Sequence, residues 1–385
     1  MTGQGMPRAD RIAKIKESVT MAFDKKAKDM KARFPETIIL AAGEPDFAPP
    51  LSAILATASA AQTGQTKYTL VKGNKNLLDA IAVWVEKTRG LKYDPLTQVM
   101  ATVGGKEALY LGLLSTVNEG DEVLIVSPYW TSYPEMVILC GGIPHFVDYK
   151  DLINLKSILE NSNIKALILN SPGNPSGMVI PPKVLGLIAA ELKNKKIWVI
   201  SDEIYSQIIY GNNVHKSIAS FPGMADKTLI VDGASKAFAM TGYRLGYALG
   251  PRELIADMAK GKSQINSCTC SISQAAVLAA LQESAAEVEK MRLAYEKRLN
   301  TIILPFVKEF KLEYLEPQGA FYLFFKIPGA HQDCLRFCEE LLEKEKLGLV
   351  PGLAFGYPGW VRISFAASDK DLIEGLKRLG RFLKK

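Results

Sequence analysis

Cysteine is scarce in this chain. Five among 385 residues cannot make a disulfide framework, and none stand in paired C-x-x-C spacing. Cys268 and Cys270 lie two apart, and Cys334 and Cys338 four apart. Neither pair has a histidine at zinc-ligand spacing, so the expectation is small packing residues and no metal. Long apolar runs are also missing. None could cross a bilayer, and residues 1–5 hold no signal-peptide core, which predicts a soluble protein with a cytoplasmic address. Repeats and low-complexity tracts are absent too. The formal net charge is +7, but the excess sits at the two ends. Lys14, Lys16, Lys25, Lys26, Lys28 and Lys31 lie near the start, and Lys377, Arg378, Arg381, Lys384 and Lys385 at the finish. They are spaced like solvated helix faces, not like a groove stripe with interleaved aromatics, which argues against nucleic acid. The mild positive field suits an acidic substrate or a phosphate.

What is present is apolar material. A composition of 48% hydrophobic and 23% charged residues is that of a globular chain with a substantial core. At this length two domains, or one large α/β domain with an appendage, are expected. From about residue 75 to 285, helical patterns such as 106–117 and 182–193 alternate with short apolar runs at 99–103, 123–126, 166–169, 197–200 and 228–231. A shorter, glycine-bounded run follows at 245–249. This is the pattern of stacked βα units around a mostly parallel sheet. Further on come a long charged helix (283–309), an aromatic strand (319–325), a helix (332–346), a strand (360–365) and a terminal helix. The expected fold is α/β, a mostly parallel central sheet flanked by helices, with a smaller α+β domain. Residues 37–42 read as extended, so the N-terminal part can pack with that second domain and make it discontinuous. The expected division is 1–45 (arm and part of the small domain), 46–285 (large domain) and 286–385 (small domain).

Polar and glycine clusters follow each of the five main apolar runs. They are Gly104, Gly105 and Lys106; Ser127 to Trp130; Asn170 to Gly177; Ser201, Asp202 and Glu203; and Gly233 to Lys236. In an open parallel sheet, ligands bind at the carboxyl ends of the strands. Five clusters converging on one edge therefore mark a site, although each alone reads as an ordinary loop.

Together the clusters resemble a family. The run G-A-S-K-A-F-A-M-T-G-Y-R-L-G at 233–246 is similar to the lysine signature of class I aminotransferases. N-S-P-G-N-P-S-G at 170–177 resembles their N-P-T-G loop, and S-D-E-I-Y at 201–205 their S-D-E-x-Y segment. A-G-E-P-D-F at 42–47 and V-R-I-S-F at 361–365 complete the set, in the family's order, from about residue 11 to the end. The resemblance implies pyridoxal 5'-phosphate as cofactor and a ping-pong exchange of an amino group between amino acids and 2-oxo acids. It also implies a homodimer with its sites at the subunit interface.

Such a cofactor needs an amine, an anion for its pyridine nitrogen, a donor for its phenolic oxygen and a phosphate cradle. Lys236, after an apolar strand where desolvation lowers an amine's pKa, is the candidate for the Schiff-base lysine and for the proton carrier; the plainer reading is a surface lysine. Asp202 closes an apolar strand and suits the pyridine nitrogen, or else caps a helix. By the family pattern Asn174 and Tyr205 bond the phenolic oxygen; otherwise they are a turn residue and a core aromatic. Gly105 and Lys106 open a helix whose free N–H groups suit the phosphate, with Ser235 and Arg244 adding a hydroxyl and a charge. The resemblance offers Tyr68 as a phosphate contact from the second subunit, Trp130 as a ring-stacking or core aromatic, and Gly43 as a substrate contact. Arg362, between apolar strand neighbours, suits a bidentate grip on the substrate α-carboxylate, or simple in–out alternation.

Lys106 bears on specificity. The bacterial-type aspartate aminotransferase branch and the related prephenate aminotransferases carry lysine there, where it meets a distal carboxylate, and S-P-Y-W-T-S-Y-P at 127–134 resembles that branch. Glutamate as donor and oxaloacetate as acceptor are expected, with Lys106 binding only phosphate or solvent as the alternative. Aromatic or prephenate transamination, a C–S lyase and a ligand sensor on the same fold are the rivals. Three departures from the pattern stand out: Gly173 for asparagine, Ser176 for threonine, and Glu17 for proline in K-E-S-V-T at 16–20.

Overall fold

The structure is a computed structural model that describes residue 6 and residues 9–160, 162–329 and 333–384. The 1–5 segment, Gln332 at the expected start of a helix, and Lys385 lie outside the described residues.

A short strand, β1 (Ile38–Ile39), comes first. The central sheet then uses β2 (Val99–Thr102), β3 (Glu122–Ser127), β4 (Ile143–Asp148), β5 (Ile164–Asn170), β6 (Trp198–Asp202), β7 (Thr228–Gly233) and β8 (Gly246–Leu249). Their order is β2-β8-β7-β6-β5-β3-β4. All run one way except β8, which is antiparallel to both of its neighbours. Both faces are covered, which is why the strands read as continuous apolar runs. Ile168, Ile200 and Val231 pack against Leu109, Leu113 and Met258. From the other face, Leu167, Leu169 and Val199 meet Leu185, Ile188 and Leu192.

One strand of the central sheet, β4, is absent from the sequence expectation, as are the two-residue strands at 314–315, 347–348 and 350–351 of the smaller sheets. β4 lies at the sheet edge and its one buried side chain is Val147, while Ile143 and Phe146 are exposed and Pro144 interrupts the pattern. An edge strand needs only one covered face and tolerates proline.

The rest of the chain holds β9 (Tyr314–Leu315), β10 (Tyr322–Lys326), β11 (Leu347–Gly348), β12 (Val350–Pro351) and β13 (Trp360–Ser364). Four of these form the antiparallel sheet β12-β13-β10-β9, and β11 pairs in parallel with β1. Phe23, Ile38 and Leu40 from the N-terminal part share one core with Phe325, Val361 and the helix Asp369–Leu383. That helix turns Leu372, Leu376 and Leu379 inward at helical spacing.

The expected single helix over 283–309 is broken. Glu283 ends the helix Ser271–Glu283, and Ser284, fully buried and bonded to Ser52 at 2.8 Å, separates it from Ala285–Arg298. A π turn, Leu299–Ile303, then precedes Leu304–Glu309. Pro305, which has no N–H to give, explains the widened turn ahead of it.

Candidate active site

The carboxyl ends of β2, β3, β5, β6 and β7 share one edge of the sheet, and a cavity of about 590 Å³ opens there. It is closed from the other side by residues 41–44, the helix Val19–Arg33, Tyr322 and Arg362. Gly43, Gly105, Lys106, Trp130, Asn174, Asp202, Tyr205, Ser235, Lys236, Arg244 and Arg362 all line it. Tyr68 does not; it is 90% exposed.

Lys236 sits one turn beyond β7, in the short helix Ala234–Ala237, and donates to the carbonyl of Gly43. Burial lowers its pKa to about 8, helped by Arg362 and Arg244 and opposed by Glu44 and Asp202. An amine in that range is uncharged often enough near neutrality to act as nucleophile and base.

Asp202, the last residue of β6, is 5% exposed. Burial raises its pKa to about 6, against the stabilising bonds from the Tyr133 hydroxyl (2.7 Å) and the Ile204 N–H (3.3 Å). No cation lies within 4 Å of it among the described residues. The next residue, Glu203, is treated differently. Its carboxylate meets Arg89 at 2.7 Å and His215 at 3.0 Å, and its pKa falls to about 2 despite burial because of those two partners. Arg89 also grips Asp232, two residues after Ile230 on β7, and the Ser206 hydroxyl. The side chains of Arg89 and Glu203 are 1% exposed. This buried network holds the ends of β6 and β7, and so the backbone beside Asp202 and just ahead of Lys236, in a fixed relation.

Arg362, on β13, is 3% exposed. Its Nη1 donates to Asn174 Oδ1 (2.8 Å) and its Nη2 to the Ala41 carbonyl (2.7 Å), while the buried Nε has no partner. The guanidinium lies 4.5 Å from the ring centre of Tyr322. Tyr322 was not among the sequence candidates. Its hydroxyl pairs with that of Tyr205 at 2.7 Å, so the Tyr205 hydroxyl is already engaged inside the protein.

At the other end the helix Gly104–Thr116 points its N-terminus into the cavity. Gly104 has φ +72°, and a side chain there would collide with the Arg244 guanidinium. Gly246, on β8, faces the backbone of Gly104 and Gly105 so closely that a Cβ would lie 2.4 Å from the Gly105 nitrogen. The Lys106 ammonium lies 4.9 Å from the Trp130 ring centre. Although the Lys106 side chain is solvent-accessible, desolvation by the cavity wall, and then Arg244, lower its pKa. Lys28, expected on a solvated face, also lines the cavity, paired with Asp24 at 2.7 Å. Its side chain is 66% exposed, so Lys28 stands on a solvated helix face, as expected, at the rim of the cavity.

A partly desolvated lysine, an unpaired buried carboxylate and a buried arginine with a free donor, all at one sheet edge, define an enzyme site of the α/β class. The family model for aminotransferase class I and II matches residues 35–379, and the chain belongs to that family. An aspartate aminotransferase of Geobacillus stearothermophilus is 39% identical over 98% of this chain and 99% of its own length. A bifunctional aspartate aminotransferase and glutamate/aspartate-prephenate aminotransferase of Petunia hybrida is 38% identical over 97% of this chain and 82% of its own. Among solved structures, aspartate aminotransferase from Thermus thermophilus with maleate has a TM-score of 0.93 at 37% identity, covering 97% of this chain and 99% of that one.

Proposed function

We propose that this aminotransferase moves the amino group between L-glutamate or L-aspartate and 2-oxo acids, using pyridoxal 5'-phosphate held by Lys236. The observation that carries the reading is the pairing, across one cavity, of Lys236 with a pKa near 8 and a buried Asp202 that lacks a cation. The donor set fits the cofactor. Asp202 would meet a protonated pyridine nitrogen, which offsets the cost of its burial. Asn174 through its Nδ2, and Tyr205 by donating its proton while accepting from Tyr322, would bond the phenolic oxygen, and Trp130 would cover the ring. The N–H groups of Gly105 and Lys106, the Ser235 hydroxyl and Arg244 would hold the phosphate. Bound there, pyridoxal phosphate supplies an electron sink for the substrate Cα.

The chain's own residues do the rest. Arg362 offers its unpartnered Nε and an Nη to the substrate α-carboxylate, beside Gly43 and Asn174. Lys236 Nζ takes the proton from Cα and returns it on the far side of the exchange. Lys106 meets the distal carboxylate of a dicarboxylic substrate. The cavity walls exclude bulk water from the amine, which keeps its pKa low.

The reading extends to a homodimer. Tyr68, Leu51, Leu55 and Leu70 are exposed large side chains, as expected of a face that a second copy covers, and Tyr68 from that copy would complete the phosphate site. The proposed division is residues 1–45, 46–285 and 286–385, and the proposed address is the cytoplasm. No described helix is long and apolar enough to cross a membrane.

The test is a two-stage spectrum of the cofactor-loaded protein. L-Glutamate should convert the absorbance of the bound cofactor, and after its removal oxaloacetate should restore it faster than prephenate. Faster recovery with prephenate moves the acceptor to the aromatic branch, the second role in the name of the Petunia relative. No response to glutamate overturns the acidic-substrate reading.

A further inference from the structure

An ion pair lies beside the cavity without lining it. Lys262, on the helix Arg252–Ile265, is fully buried, and its Nζ is 2.8 Å from Glu107 Oε2. Asn266 braces the pair: its Oδ1 accepts from Lys262 at 2.9 Å and its Nδ2 donates to Glu107 Oε1. The Glu107 carboxylate also accepts the Val103 N–H at 2.6 Å.

Glu107 belongs to the first turn of Gly104–Thr116, the helix whose N-terminus faces the cavity. Its carboxylate has two opposed effects there. By binding the Val103 N–H it fixes the turn at 103–106 that aims the N–H groups of Gly105 and Lys106. It also sets a negative charge within a turn of the place where, on the pyridoxal-phosphate reading on which this inference rests, a phosphate must sit. A charge at that range acts through a poorly screening interior.

We propose that Lys262 is a positioning residue of the phosphate cradle. It cancels the charge of Glu107, so that the carboxylate orders the 103–106 turn without repelling the phosphate. A purely structural staple between the two helices accounts for the contacts equally well but makes no distinction between ligands with and without a phosphate. The charge argument does.

The experiment uses full-length protein stripped of cofactor, with Trp130 in the cavity as the fluorescent reporter. Dissociation constants are measured for pyridoxal phosphate and for pyridoxal, which lacks the phosphate. Lys262→Met should bind pyridoxal phosphate about tenfold more weakly, with pyridoxal little changed. Glu107→Gln keeps the acceptor for Val103 and removes the charge, so it should bind pyridoxal phosphate at least as tightly as wild type. The double variant Glu107→Gln, Lys262→Met should recover most of the affinity that Lys262→Met loses.

Equal losses for both compounds in Lys262→Met, or a double variant as weak as the single one, overturn the proposal. If Lys262→Met does not fold, Glu107→Gln still decides, because weaker phosphate-dependent binding there has the wrong sign. Wild-type protein that binds neither compound overturns the cofactor reading itself, and this inference with it.

Discussion

In Asp202→Asn, the carboxylate whose pKa burial holds near 6 becomes a neutral amide of nearly the same shape. A rise from 3.8 to about 6 corresponds to about 3 kcal/mol against folding once the group is ionised. Asparagine has one side-chain oxygen for the two donors, Tyr133 O–H and Ile204 N–H, that Asp202 accepts, which returns about 1 kcal/mol. The cofactor-free variant should therefore be about 2 kcal/mol more stable than wild type at pH 8. The sign of the pH dependence follows from the raised pKa. The native protein holds its proton up to about pH 6 while the unfolded chain loses it near 3.8. Wild-type stability thus falls relative to the variant as pH rises through that window and stays level above it. Urea unfolding of both proteins, stripped of cofactor, from pH 4.5 to 8 reads the difference. Turnover of the loaded variant should meanwhile fall at least about a hundredfold, since the anion facing the pyridine nitrogen is gone. A variant less stable than wild type at pH 8, or a gap that does not change with pH, refutes the reasoning.

Arg362→Lys keeps the charge but not the fork, and KM for amino and oxo acids should rise by about tenfold or more; an unchanged KM removes the carboxylate grip. Lys106→Ser should lower kcat/KM for dicarboxylic substrates about tenfold or more relative to neutral ones. Equal loss on both leaves Lys106 a phosphate or solvent contact. Arg89→Met leaves Glu203 and Asp232 buried without their cation and should cost about 3–5 kcal/mol, seen as a large drop in thermal midpoint. Adding Asp232→Asn should recover part of it, and a midpoint equal to wild type contradicts the role of the network.

Much of this arrangement is legible in the sequence because the sheet is covered on both faces. Uninterrupted runs such as 166–169 and 197–200 have few alternatives to buried strands, and their polar ends mark the site edge. Strand direction is not encoded in such runs, so the reversal of β8 had no signal. Edge strand β4, half exposed and carrying Pro144, lacks the pattern altogether. Tyr322 carries no signal because a tyrosine in an apolar stretch looks the same whether its hydroxyl meets a cavity or a core, and Tyr133 stands in the quoted 127–134 run with nothing local to mark its bond to Asp202. The Arg89 network joins residues 114 and 143 positions apart, a separation that local reading does not cross.

One lysine, Lys236, is proposed to bind the cofactor. Borohydride treatment of the protein loaded with pyridoxal phosphate, followed by proteolysis and mass spectrometry, locates the lysine that becomes irreversibly modified. The modification is expected on Lys236 and should be lost in Lys236→Ala. Modification of another lysine, such as Lys106 or Lys28 at the same cavity, or of none, would contradict the assignment.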